Sequence, residues 1–195
     1  MKHSGVFAGW WVVAGAFLCM MTGYAVAYSF AAFFGALEAE FGARRGETSL
    51  VFSISAFLYF QLGFPAGLIA DRTGPRPMVV GGLLLVAMGL AAASQATTLW
   101  QVYLGYGLGV GVGVGLSYVP SIAAVQRWFV RRRGTASGIA VAGIGVGTLL
   151  GAPLAHELIG ALGWRQTYLV LAALTVIGAV ASGFMVRPGP ERYGL

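Results

Sequence analysis

Charge is what this chain has least of. Charged residues fill 9% of its 195 positions, six of them acidic and twelve basic, while hydrophobic residues fill 58%. A soluble domain carries about a quarter charged residues to cover its surface with water, so the composition argues against a soluble fold. Cysteine is nearly absent as well. The single Cys19 excludes an intramolecular disulfide, leaves the redox compartment unread and is expected only to pack. No metal-ligand cluster, no nucleophile beside a base and no phosphate-binding loop stands out, so no enzyme activity, cofactor or metal is expected. The alternating glycines from Gly105 onward suggest a dinucleotide fingerprint, but G-x-G-x-x-G needs glycine at 112 or 114, where Val112 and Val114 stand.

What the chain has instead is long uncharged runs, at 4–37, 48–70, 77–126, 134–156 and 166–186. A helix rising 1.5 Å per residue crosses a hydrocarbon core about 30 Å thick in roughly 20 residues. Four runs therefore hold one span each. The longest holds two, divided at the polar run Ser94-Gln95-Ala96-Thr97-Thr98. Six spans are expected near 8–34, 48–70, 78–94, 99–126, 134–157 and 166–186. No segment alternates in polarity like a spanning strand, and an open β edge in lipid would leave backbone groups unpaired. The fold class is an all-α membrane protein, a six-transmembrane-helix bundle.

The basic residues assign the sides. Lys2, Arg72, Arg76, Arg127, Arg131, Arg132, Arg133, Arg187 and Arg192 fall on one face and only Arg44, Arg45 and Arg165 on the other. Nine against three predicts that both termini are cytoplasmic in a plasma membrane. One lysine against eleven arginines points to GC-rich coding and a bacterial inner membrane. The densest basic cluster is a short loop between spans rather than the face of a folded domain, so the expected partner is the lipid bilayer and not nucleic acid. Trp10, Trp11, Trp100, Trp128 and Trp164 all fall at span ends, where an indole suits the headgroup region. Lys2-His3, an apolar stretch and Ala25-Val26-Ala27 mimic a secretory signal, but the uncharged run continues through Phe34, which fits a retained first span.

Two patterns recur three spans apart. Gly63 and Pro65 followed by Gly74 and Arg76 are echoed by Gly151 and Pro153 followed by Gly163 and Arg165. An odd number of spans between them puts the two on opposite membrane faces, as a 3+3 inverted repeat requires. Gly107, Gly111 and Gly115 line one side of the fourth span, and Gly105, Gly109 and Gly113 line a nearly opposite one. The i, i+4 spacing returns at Gly143, Gly147 and Gly151 and at Gly63 and Gly67. Small residues so spaced allow close helix contact in lipid.

The segment Gly67, Asp71, Arg72, Gly74, Arg76 makes a tight basic turn between the second and third spans. Its carboxylate can meet a helix N-terminus or a cation. The segment closely resembles the signature loop of the major facilitator superfamily. The resemblance implies one half of a twelve-helix fold, in which such an aspartate latches the halves together at the cytoplasmic side. Pro77 replaces a second basic residue that many members carry. Gly9, Trp10, Trp11, Gly15 and Phe17, with Tyr118, Pro120, Trp128, Phe129, Arg132, Arg133, Gly134, Gly138, Gly143 and Pro153, resemble the monocarboxylate carrier and oxalate:formate antiporter group. The lysine that some of those carriers use in the first span is matched by Tyr28. An arginine typical of proton-coupled exporters is matched by Tyr103, so drug–proton antiport is disfavoured.

An ionisable group at mid-bilayer costs roughly 2.5–3.5 kcal/mol on insertion scales, and none is placed there. A neutral half-cavity remains, with Tyr24, Tyr28, Ser29, Gln61, Ser117, Tyr118 and Thr148 as candidate substrate contacts and Tyr28 and Tyr118 foremost. His156 and Glu157 are a candidate proton site or gate near the outer end of the fifth span. The expected activity is alternating-access transport of a small organic anion, a monocarboxylate, by proton symport or anion exchange. The resemblance implies that the carboxy-terminal half, absent here, supplies the anion's cationic partner. The alternatives are a six-helix homodimeric channel or scaffold built with a second copy, and an inactive truncated product.

Overall fold

The computed structural model describes residues 8–129 and 131–187. Lys2 and Arg192, two of the nine basic residues that assign orientation, and His3 lie outside the described residues. Six helices fill the rest: α1 (Ala8–Phe41), α2 (Arg45–Thr73), α3 (Pro75–Ser94), α4 (Leu99–Trp128), α5 (Arg133–Leu162) and α6 (Trp164–Met185). All are long and apolar enough to cross a membrane. Within α4 a π-helical segment, Tyr103–Leu108, interrupts the α-helical pattern.

Glycine makes the two tightest junctions. Gly74 joins α2 to α3 at φ 90°, ψ 159°, and Gly163 joins α5 to α6 at φ 81°, ψ 161°. A Cβ strains this region, so glycine is the residue that lets a helix end and restart within one position. Each N–H closes the helix behind it, Gly74 donating to the Ala70 carbonyl and Gly163 to that of Ile159. The two junctions lie at opposite ends of the bundle with nearly the same backbone.

Apart from α3 and α4, helices adjacent in sequence pack little. α1 lies along α5, α2 along α4, and α3 against both α4 and α6. With no water to expel between helices in lipid, close van der Waals contact must hold them, and the glycine lines supply it. Gly107, Gly111 and Gly115 face α2 at Ile54, Ser55 and Tyr59, while Gly105, Gly109 and Gly113 face α3 at Ala93, Gly89 and Gly82. A Cβ on Gly111 would sit 2.8 Å from Ser55 Cα, and one on Gly113 would sit 2.5 Å from the Gly82 carbonyl oxygen. Gly143, Gly147 and Gly151 of α5 lie against the carbonyls of Phe17, Met21 and Ala25 on α1. The Gly63 and Gly67 pair meets only the Val119 side chain. Ser55 Oγ adds a cross-helix tie, donating to the Gly107 carbonyl at 3.1 Å.

Two expectations change on contact with the structure. The first span was bounded at 34 by the approach of charge, yet α1 continues to Phe41. Leu37 is buried, Phe41 sets its ring edge-on to Trp164 at 5.9 Å, and Glu40 accepts from Arg165 Nη2 at 2.8 Å. The extension is amphipathic, so its carboxylates end the uncharged run without ending the helix. Arg165 also donates to the carbonyls of Ser94 (3.1 Å) and Ala96 (2.6 Å) and lies 4.3 Å from the Trp164 ring centroid. It ties the α3–α4 turn to the ends of α1 and α6. The second change concerns tryptophan. Trp11 and Trp100 are exposed, but Trp128 and Trp164 are buried and Trp10 packs edge-on against Phe129 at 5.2 Å. Those three seal the bundle ends, spending their apolar area on protein rather than lipid.

These contacts predict opposite outcomes for two neighbouring glycines. Gly147→Ala forces a methyl group into the Met21 carbonyl and should cost about 1–3 kcal/mol. Nothing lies within 4 Å of a Cβ on Gly145, so Gly145→Ala should keep or raise stability, by up to about 1 kcal/mol from helix propensity. Thermal unfolding in detergent checks both, and equal shifts would show that α5 does not lie on α1 by this face.

Candidate functional site

Near the middle of α1 and α2, and about two-thirds of the way along α4, four tyrosines gather. Tyr24 is the hub, stacked on Tyr28 one turn along α1 (ring centroids 5.9 Å, 22° between planes). It presents an edge-on contact to Tyr59 of α2 and another to Tyr118 of α4, each at 5.9 Å. Offset and edge-on ring contacts of this kind fix aromatic side chains in place. Tyr24 and Tyr59 are buried; Tyr28 is 37% exposed and lines a recess of about 410 Å³ between α1 and α2 with Phe30, Phe34, Ser49 and Phe52. Among the described residues no backbone group takes the hydroxyl of any of the four. Tyr106 differs, because its buried hydroxyl donates to the Val26 carbonyl at 2.8 Å and is structural.

The structure therefore brings Tyr24, Tyr28 and Tyr118 together and sets the other candidates apart. Ser29 donates to the Val26 carbonyl (2.8 Å), Ser117 to that of Val114 (3.1 Å) and Thr148 to that of Ile144 (2.9 Å). Their protons satisfy their own helices. Gln61 is exposed on the side of α2 that carries Phe57, Phe60 and Phe64. Tyr59, only two residues earlier, lies about 200° around the same helix and is the one sequence reasoning passed over. Its signal was position: 59 is the midpoint of α2 as 24 is of α1. His156 and Glu157 are both exposed on α5. Among the described residues no group of three or more His, Cys, Asp or Glu is placed to hold a metal ion.

The basic turn has a defined partner. Asp71, in the last turn of α2, accepts a hydrogen bond at 2.6 Å from Arg127 Nη2 in the last turn of α4. The pair spans two helices of this bundle and is open to solvent, with 63% of the Asp71 side chain and 38% of the Arg127 side chain exposed. Gly67 rests on Val119, Gly74 makes the junction, Arg72 is exposed, and Arg76 places its guanidinium 5.9 Å from the Phe184 ring centroid.

Comparison with known proteins agrees with this architecture. The chain is 36% identical over 181 residues to Monocarboxylate transporter 13 of Rattus norvegicus, covering 92% of this chain and 42% of that protein. It is 33% identical over 183 residues to Monocarboxylate transporter 1 of Homo sapiens, covering 94% of this chain and 37% of that one. The chain thus spans about two-fifths of the length of these relatives. A crystal structure of a mutant of peptide transporter POT in complex with alafosfalin superposes with a TM-score of 0.78 at 19% identity, covering 93% of this chain and 39% of that chain, a likeness of fold alone. The model of one family matches residues 12–194, and with nearly the whole chain so matched, this six-helix integral membrane protein belongs to the Major Facilitator Superfamily.

Proposed function

We propose that the chain is the amino-terminal half of an alternating-access carrier for a small organic anion, a monocarboxylate, moved by proton symport or by anion exchange. The observation that carries the reading is the tyrosine cluster of α1, α2 and α4, together with relatives named as monocarboxylate transporters. Binding at the midplane between helices suits alternating access. A phenol can donate to a carboxylate without the insertion cost of a buried cation. Tyr24, Tyr28, Tyr59 and Tyr118 are the proposed contacts.

The rest of the proposal follows the geometry. The matched glycine junctions, and the way α1 lies on α5 as α4 lies on α2, support a 3+3 inverted repeat. α2 and α5 are the least buried helices and present Phe57, Phe60, Phe64, Leu149 and Leu150 outward. That surface would receive the carboxy-terminal half, which would bring the anion's cationic partner, or a second copy in the homodimeric alternative. The excess of arginine at the Asp71 end supports cytoplasmic termini in a plasma membrane, taken here as a bacterial inner membrane. His156 and Glu157 remain candidates for an outer proton site.

Uptake of labelled lactate and pyruvate by proteoliposomes of the full-length protein tests the reading. Tyr59→Phe and Tyr28→Phe should each raise KM about tenfold, the worth of one hydrogen bond to a charged group, while Tyr106→Phe should leave KM unchanged. No saturable uptake of either anion would sink the substrate class. Asp71→Asn makes the loop testable on its own. An exposed ion pair is worth under about 1 kcal/mol, so the melting temperature should barely move, whereas a gating role requires uptake to fall at least tenfold (roughly 1.4 kcal/mol at the barrier). Unchanged uptake would reduce the loop to a topological turn.

A further inference from the structure

At the end of the bundle that carries Asp71, a recess of about 350 Å³ opens between the start of α1 and the end of α6, lined by Trp11, Ala181, Phe184, Met185 and Arg187. Arg76, in the first turn of α3, places its guanidinium 5.9 Å from the ring centroid of Phe184, one of the lining residues. One cation, Arg187, thus lines a small aromatic pocket, and a second, Arg76, lies against one of its lining rings. Neither is in an ion pair among the described residues. The sole described carboxylate at this end, Asp71, is taken by Arg127. Phe184 is 71% exposed and Trp11 49%, so aromatic surface stands open beside the arginines. Below the recess α6 shows an outward apolar track, Ile177, Val180 and Phe184, which runs from the pocket toward the middle of the membrane.

We propose that this recess binds one anionic phospholipid. The headgroup phosphate sits between Arg76 and Arg187, the Trp11 indole lies at the glycerol level, and an acyl chain follows Ile177 and Val180. The chemistry is specific to that occupant. Paired guanidiniums match phosphate oxygens, indole favours the interfacial layer, and the track needs a hydrocarbon tail to cover it. A choline headgroup would put a fixed cation beside two arginines and is disfavoured. The site is separate from the tyrosine cluster, so it stands or falls independently of the proposed transport.

Native mass spectrometry of the full-length protein, released from mixed micelles of phosphatidylglycerol and phosphatidylcholine, reads the site directly. The wild type should retain one phosphatidylglycerol in preference to phosphatidylcholine. Arg76→Gln with Arg187→Gln should weaken that binding about thirtyfold, the worth of two basic groups near a lipid surface, and Arg76→Lys with Arg187→Lys should restore most of it. Arg131→Gln with Arg132→Gln removes the same charge from the same face and should leave the retained lipid in place. Equal loss in both glutamine variants would mean diffuse surface attraction and overturn the site, as would equal retention of the two lipids. Displacement by millimolar inorganic phosphate would overturn the lipid assignment in favour of a free-anion pocket.

Discussion

The bundle depends on α4 being bare on two sides. A helix with a side chain at every position keeps its neighbours about 8–10 Å away, but α4 alternates glycine over three turns and lets α2 and α3 touch its backbone from nearly opposite directions. The contact with α3 is glycine on glycine, Gly105 and Gly109 against Gly89 and Gly113 against Gly82, at distances a Cβ would make impossible. α5 repeats the device on α1. In a solvent as apolar as leucine, such approach gains dispersion over many atom pairs at once.

That packing determines where the chemistry can go. α1 and α4 are committed on several sides, so what they can offer to a cavity is the tyrosine-bearing strip. α2 contributes Tyr59 to the same strip because its one buried stripe, running through Val51, Ser55, Tyr59 and Gly63, is the stripe that meets α4. The residue that completes the cluster is placed by the same contact that holds the helix. On the far side of α2 Phe57, Phe60 and Phe64 are largely exposed, and the Phe60 ring reaches back to the cluster, 4.7 Å from that of Tyr59 between centroids.

Much of this was legible in the sequence because charge is scarce. A few arginines and carboxylates mark the ends of apolar runs, and the glycine lines of α4 announced two close neighbours before any were seen. What could not be read was rotation. Gln61 and Tyr59 of α2 are two positions apart and lie on nearly opposite faces, one exposed and one buried, and an aromatic residue such as Tyr59 reads as core until its hydroxyl is seen free of the backbone. Nor could hydroxyl geometry be read: Ser29, Ser117 and Thr148 each donate to a carbonyl of their own helix, the partner a short side chain on a helix in lipid reaches first. Charge also misplaced the end of α1, since Glu40 belongs to the Arg165 clasp and not to a loop.

The same accounting bears on coupling. Tyrosines can orient a carboxylate but cannot neutralise it, and in a low-dielectric site an anion without a counter-charge is expensive. The titratable candidates His156 and Glu157 lie about nine residues from the centre of α5, roughly 13 Å along the axis at 1.5 Å per residue, toward the end of the bundle opposite Asp71, and both are exposed. At that distance they cannot share a proton with an anion held at the depth of Tyr24 and Tyr59. In the proposed carrier, a proton that travels with the substrate needs an acceptor that the described residues of this bundle do not place at mid-depth. Coupling would then be a property of the assembled cavity, with these six helices contributing orientation and neutral donors and the proposed facing helices the charge.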